Sequence, residues 1–179
     1  LRGGMEPPGE GWATETGTYL GFARALAADD EAEMKAVPRK QRAEIRRSLS
    51  MDLHVETGSG PGDIAAHYAV YAESVRNLGT PVFPRSLFHA VLREFNQSAD
   101  ILTIRHGGVP GNAFGGTAVA SVLSLYWKGT VYPYWGGGTR RARALRANDR
   151  MYFELMRHAR ARGCTRFDFG RSKVGTGAA

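Results

Sequence analysis

Between residues 131 and 169 the chain reads as a strand (131–135), three glycines (Gly136, Gly137, Gly138), a helix near 147–162 and a second strand (166–169). This order commits the second half of the chain to α/β material, and the rest has to fit around it. In the helix, Met151, Leu155, Met156 and Ala159 recur at inward spacing, and Gly163 follows as a C-cap. In the strand, Phe167 and Phe169 share one face and Asp168 takes the other. Upstream, Val119 to Trp127 is a β-rich run that Lys128-Gly129-Thr130 turns back into Val131 to Trp135, which predicts an antiparallel hairpin. Pro133 lies in the return strand and has no N–H to donate, so that strand is expected at an edge or locally unpaired.

A glycine loop that opens into a helix leaves backbone N–H groups free for an anion. Arg140, Arg141, Arg143, Arg146 and Arg150 stand beside it and can add charge-assisted bonds. The same residues also suit a plain strand-to-helix turn with a solvated basic face, and the glycines alone do not choose between the two. A second cluster follows in Asp168, Arg171, Ser172 and Lys173, where a strand end delivers an acid, a guanidinium, a hydroxyl and an amine in a short span. Asp168 can serve as general base or orient an attacking amine, and Lys173 or Arg171 can stabilise an oxyanion. Capping or pairing with a nearby arginine is the alternative for Asp168. Glu73, Arg76 and Asn77 are candidates for the acceptor side, and Tyr132, Tyr134 and Trp135 either pack a sheet face or wall a substrate cleft.

The first half is less regular. Residues 1–17 are Gly- and Pro-rich loop, and residues 18–22 alternate as a short strand. Asp29-Asp30-Glu31 opens a helical turn that Pro38 closes. Residues 1–38 are therefore read as the remnant of a preceding domain with its linker, and residues 39–179 as the principal domain. That domain starts with a helix (39–50, Ile45 and Leu49 on one face) and a strand (52–56). A helix follows with Asp63 as N-cap and Ile64, Tyr68, Tyr71 and Val75 inward. After a loop (78–84) come a helix (86–95), a strand (101–104) and two glycine-rich turns up to residue 117.

Composition narrows the function classes. With 179 residues, 42% of them hydrophobic, the chain can bury one real core, and no apolar run approaches the roughly 20 residues of a membrane span. Cys164 is the sole cysteine, which excludes an internal disulfide and a multi-cysteine metal site and suits a reducing, cytoplasmic setting. It follows a glycine at a helix end and reads as a buried small residue rather than a nucleophile. The five histidines lack ligand spacing, so no metal site is expected. A formal charge of +7 favours phosphate-bearing partners.

Four segments carry a family likeness: residues 38–42 (PRKQR), 71–81 (YAESVRNLGTP), 134–139 (YWGGGT) and 167–177 (FDFGRSKVGTG). Together, over residues 18–179, they resemble the FemAB-like proteins associated with exosortase (PEP-CTERM) systems. The resemblance implies an α/β (α+β) domain of GNAT type, a mixed central sheet flanked by helices, usually as two such domains in tandem. It implies transfer of an acyl or aminoacyl group from acyl-CoA or aminoacyl-tRNA, with no permanently bound cofactor. The acceptor it implies is an amine of an envelope, peptidoglycan or exopolysaccharide-related molecule, in the bacterial cytoplasm. In such a frame two neighbouring strands splay to admit the donor, and Pro133 supplies a local reason for it. Gly136, Gly137, Gly138 and Asn148 fall on the donor side, Asp168, Arg171 and Lys173 near the chemistry, and Tyr134, Ser172, Glu73 and Arg76 near the substrate. Against the family pattern, most of the first domain and two closing strands are expected to be missing, and residues 111–118 form a longer loop than the hairpin needs. Two other readings remain open: a basic nucleic-acid-binding module, and an inactive fragment that docks on a partner through an exposed sheet edge.

Overall fold

The computed structural model describes residues 9–13, 17–108 and 115–175. The loop expected at the N-terminus, most of the glycine-rich stretch before residue 117 and the end of the C-terminal motif lie largely outside the described residues. Six strands form one sheet: β1 (Tyr19–Ala25), β2 (Leu53–Gly58), β3 (Ala99–His106), β4 (Thr117–Trp127), β5 (Thr130–Gly138) and β6 (Arg166–Lys173). Their order is β1-β6-β5-β4-β3-β2, antiparallel throughout except for the parallel pair β5 and β6. The helices are α1 (Asp30–Ala36), α2 (Arg39–Leu49), α3 (Pro61–Asn77), α4 (Arg85–Phe95), α5 (Arg140–Ala144) and α6 (Ala147–Ala161), with a 3₁₀ turn (Asn96–Ser98) before β3. The mixed, helix-flanked sheet is the architecture the resemblance implies.

Helices cover both faces of the sheet, so β3 and β4 are buried on both sides along most of their length. On one face Leu102, Ile104 and Val122 pack with Met151, Leu155 and Ala159 of α6. On the other, Ile101 and Leu123 meet Ile64 and Tyr71 of α3 and Phe88, Val91 and Leu92 of α4. The hairpin turn uses Lys128 (φ 46°) and Gly129 (φ 71°), both left-handed, the geometry that matches the twist of the two strands it joins. In the hairpin Leu123 faces Trp135 and Ser124 faces Pro133, which leaves Tyr134 as the extra residue of a β-bulge.

Several local expectations are corrected. The three glycines are not a loop: Gly136, Gly137 and Gly138 continue β5 and pair with Val122, Ser121 and Ala120. Their lack of side chain serves close packing on both faces. A Cβ on Gly137 would fall 2.2 Å from Ser74 Oγ of α3, and one on Gly138 would fall 2.5 Å from Asn148 Oδ1 and 2.7 Å from Ala142 Cβ. Asp63 is not the N-cap of α3; Gly60 is, and Asp63 reaches back to accept its N–H at 2.9 Å. In α2, Ile45 and Ser48 are buried and Leu49 is exposed, because the helix meets α6 along a narrow stripe with Val37 and Phe153.

The segment ahead of Pro38 joins the same sheet as the rest. β1 pairs with β6 along its whole length, and α1 begins at Asp29, whose Oδ1 accepts the Ala32 N–H at 2.8 Å. Glu33 of α1 is fully buried and held by Arg24 of β1, by Arg160 of α6 at 3.2 Å and by the Ala27 N–H at 2.9 Å. A buried carboxylate with these partners locks β1, α1 and α6 together, since losing any one would leave charge uncompensated.

Candidate active site

The pairing of β5 with β6 is confined to Thr130 with Arg166 and Val131 with Phe167. Beyond those positions the two parallel strands part, although β5 runs on to Gly138 and β6 to Lys173. Pro133 stands just past the last pair and has no N–H to offer β6. The opening lies at the C-terminal ends of two parallel strands, where α/β sheets place their ligands.

At the end of β5 the chain turns into α5 and α6, and a cavity of about 560 Å³ opens there. Arg140, Arg143 and Arg146 line it, with Asn77, Asn148 and Asp149. Thr139 precedes α5 without making a side-chain cap bond; instead Glu73 of α3 accepts the Arg140 N–H at 2.8 Å, so a carboxylate from the opposite face of the sheet fixes this helix start. Arg146 holds a left-handed conformation (φ 54°) at the head of α6 and pairs with Glu44 of α2 at 2.5 Å. Asp149 follows in the first turn of α6. Partial burial, and then the nearby Glu44, raise its carboxyl above the usual carboxylate range, against the pull of Arg146 and its own backbone N–H.

A second cavity, about 370 Å³, lies between α2 and α6 and reaches Phe169 of β6. Its walls are largely hydrocarbon, and Asn148 and Asp149 line it as well as the basic cavity. The first turn of α6 is therefore a partition between a cationic and an apolar space.

Of the residues singled out in the sequence, Gly138, Asn148 and Asn77 border the basic cavity, and Glu73 supports its wall. Gly136 and Gly137 do not line it. Arg76 is exposed at the end of α3, and Tyr134 is exposed at the bulge with its ring 4.7 Å from that of Trp135. Asp168 is half-buried in β6, and its Oδ1 accepts the Gly170 N–H at 2.7 Å. The guanidinium of Arg171 lies 4.0 Å over the Tyr19 ring, and Ser172 and Lys173 pair with Leu20 and Tyr19 of β1. None of these four lines either cavity. Cys164 is buried, and burial pushes its thiol pKa up, which suits a packing role. No group of metal-ligating residues occurs among the described residues, and no described helix is long and apolar enough to cross a membrane.

Asp149, Glu44 and the apolar lining were not legible as a site. An acid in the first turn of a helix is ordinary, because it complements the helix dipole. Only the fold shows that this one stands between two cavities.

The profile of the family described as "Acetyltransferase (GNAT) domain" matches residues 35–177. Comparison with curated protein sequences finds no match. Among solved structures, FemX superposes with a TM-score of 0.80 at 12% identity, covering 89% of this chain and 55% of its own. The C-terminal domain of a putative lysylphosphatidylglycerol synthetase from Agrobacterium fabrum gives a TM-score of 0.58 at 14% identity, covering 87% and 49%. L-PGS from Bacillus licheniformis gives 0.57 at 13%, covering 90% and 48%. The chain thus spans about half the length of these structures, and at such identities the likeness is one of fold: a GNAT-like sheet with its helices.

Proposed function

The chain belongs to the acetyltransferase (GNAT) domain family, and from that premise we propose that it transfers an acyl or aminoacyl group from acyl-CoA or aminoacyl-tRNA to an amine of an envelope, peptidoglycan or exopolysaccharide-related acceptor. The observation that carries this reading is the parting of β5 from β6 beside a cavity lined by three arginines. Phosphates of the carrier fit the arginine side, and the acyl carbonyl fits the gap between the strands. The likeness to FemX and to a putative lysylphosphatidylglycerol synthetase supports an envelope-related acceptor, and the four sequence motifs support the exosortase-associated branch within that group. A lone, buried cysteine accords with the cytoplasm as its setting.

In this reaction the acceptor amine loses a proton and attacks the carbonyl. The tetrahedral intermediate then expels the thiolate of coenzyme A or the ribose alkoxide of tRNA, which takes up a proton. Asp149 is our first choice as the base, because its raised pKa brings it nearer to the amine and it borders both cavities. Asp168 is the second choice, with Arg171 and Lys173 for the oxyanion and Tyr134, Ser172 and Arg76 toward the acceptor. Gly136, Gly137 and Gly138 act on the donor side by letting the walls close.

Thermal melts with coenzyme A, acetyl-CoA, charged tRNA and uncharged tRNA test the donor, since a ligand selective for the folded state raises its stability. We expect one donor class to raise the melting temperature, and Arg140→Ala with Arg143→Ala to weaken its binding by on the order of tenfold per arginine. In the transfer assay that follows, Asp149→Asn should remove the acidic limb of the pH–rate profile. Loss of that limb in Asp168→Asn instead would move the base to Asp168, and no response to any donor would sink the reading.

A further inference from the structure

The apolar cavity differs in kind from the arginine-lined one. Val37 and Ile45 of one side face Phe153 and Met156 of the other, and the partly exposed Phe169 lines the cavity from β6. Charge enters the lining only through Arg24 and Asp149. Arg24 is already engaged by Glu33, with its guanidinium 3.3 Å from Met156 Sδ, so its charge is spent inside the fold. Gln41 of α2 stands exposed at the mouth.

We propose that this cavity takes the hydrocarbon chain of an aliphatic acyl group whose coenzyme A carrier occupies the arginine-lined cavity. The donor is then a medium-chain acyl-CoA. This inference rests on the acyl-transfer reading above and names its donor.

Three observations support it. The two cavities share Asn148 and Asp149, so one ligand can span both across the first turn of α6. Their characters match the two halves of such a molecule: guanidinium groups for phosphates, hydrocarbon for a chain. The size is right too. At about 30 Å³ for each water-sized group, 370 Å³ has room for roughly twelve, which fits a chain of about ten to twelve carbons. An aminoacyl group fits less well, because it brings an ammonium next to its carbonyl and the one carboxylate in this lining, Asp149, is the group assigned to the acceptor's proton.

The test is calorimetric titration of the whole chain with free coenzyme A and with acetyl-, butyryl-, octanoyl-, dodecanoyl- and hexadecanoyl-CoA below their micellar concentrations. Affinity is expected to rise about fourfold per buried methylene and to level off after dodecanoyl. Gln41→Trp, which fills space at the α2 side, should move the preferred chain shorter, and Phe169→Ala, which enlarges the cavity on its β6 side, should move it longer. Opposite shifts are not what general loosening of the fold would give, and either variant alone suffices if the other does not fold. Equal affinity for acetyl- and octanoyl-CoA overturns the inference and leaves acyl transfer standing. Binding of aminoacyl-tRNA in place of every acyl-CoA does the same, whereas failure of every donor overturns both.

Discussion

His67 is fully buried on α3, its ring packed against Tyr71 and Phe88. Nδ1 lies 3.0 Å from Ser121 Oγ, which in turn lies 3.1 Å from Thr103 Oγ1, while Nε2 has no hydrogen-bond partner among the described residues. Burial lowers its pKa from 6.5 to about 4, so the folded protein keeps the ring neutral where the unfolded chain would protonate it. The stabilisation is fully present above pH 6.5 and is lost as pH falls toward 4, because over that window the unfolded state binds the extra proton. A shift of this size corresponds to about 3 kcal/mol. We expect His67→Phe, which leaves Ser121 its Thr103 partner, to flatten the fall in stability between pH 7 and pH 4 in denaturant titrations; an unchanged slope would assign acid sensitivity elsewhere. Helical spacing puts residue 67 in line with Ile64 and Tyr71, so its inward face was open to inference from the sequence. Its neutral state was not, because that depends on strands far along the chain.

Single elements show where local pattern suffices. The β4–β5 hairpin, α4 and α6 were legible because their apolar periods and turn residues agree with the tertiary packing. The glycine run was misread because glycine has low strand propensity, and nothing local reveals that Ser74 and Asn148 press on the two faces of β5. The crowding at Gly137 leads to a prediction that belongs to this scale. Gly137→Ala should destabilise the protein by about 1–3 kcal/mol as α3 is pushed off the strand. Adding Ser74→Gly should restore most of the loss, measured as the coupling in a double-mutant cycle. Independent, additive effects would mean that α3 is not held against β5 by this contact.

For the whole molecule, the decisive pairing is the one between β1 and β6, whose partners are on the order of 150 residues apart, beyond the reach of any sequence window. It explains why residues before Pro38 read as leftover material: a short alternating strand with no neighbour nearby in sequence carries no sign of its partner. If β1 is integral to the domain, a chain shortened to begin at residue 27 should lose several kcal/mol or its cooperative melt altogether, as β6 gains an open edge and the buried Glu33 loses Arg24. An unchanged melt would restore a boundary at residue 38. The same pairing sets a timetable for synthesis. A ribosome releases β1 early and β6 late, so Tyr19, Leu20 and Phe22 wait in water while four strands and six helices are made behind them. The sheet closes on that side only once β6 has been made, and until then the cell holds a sticky ribbon that a chaperone has reason to cover.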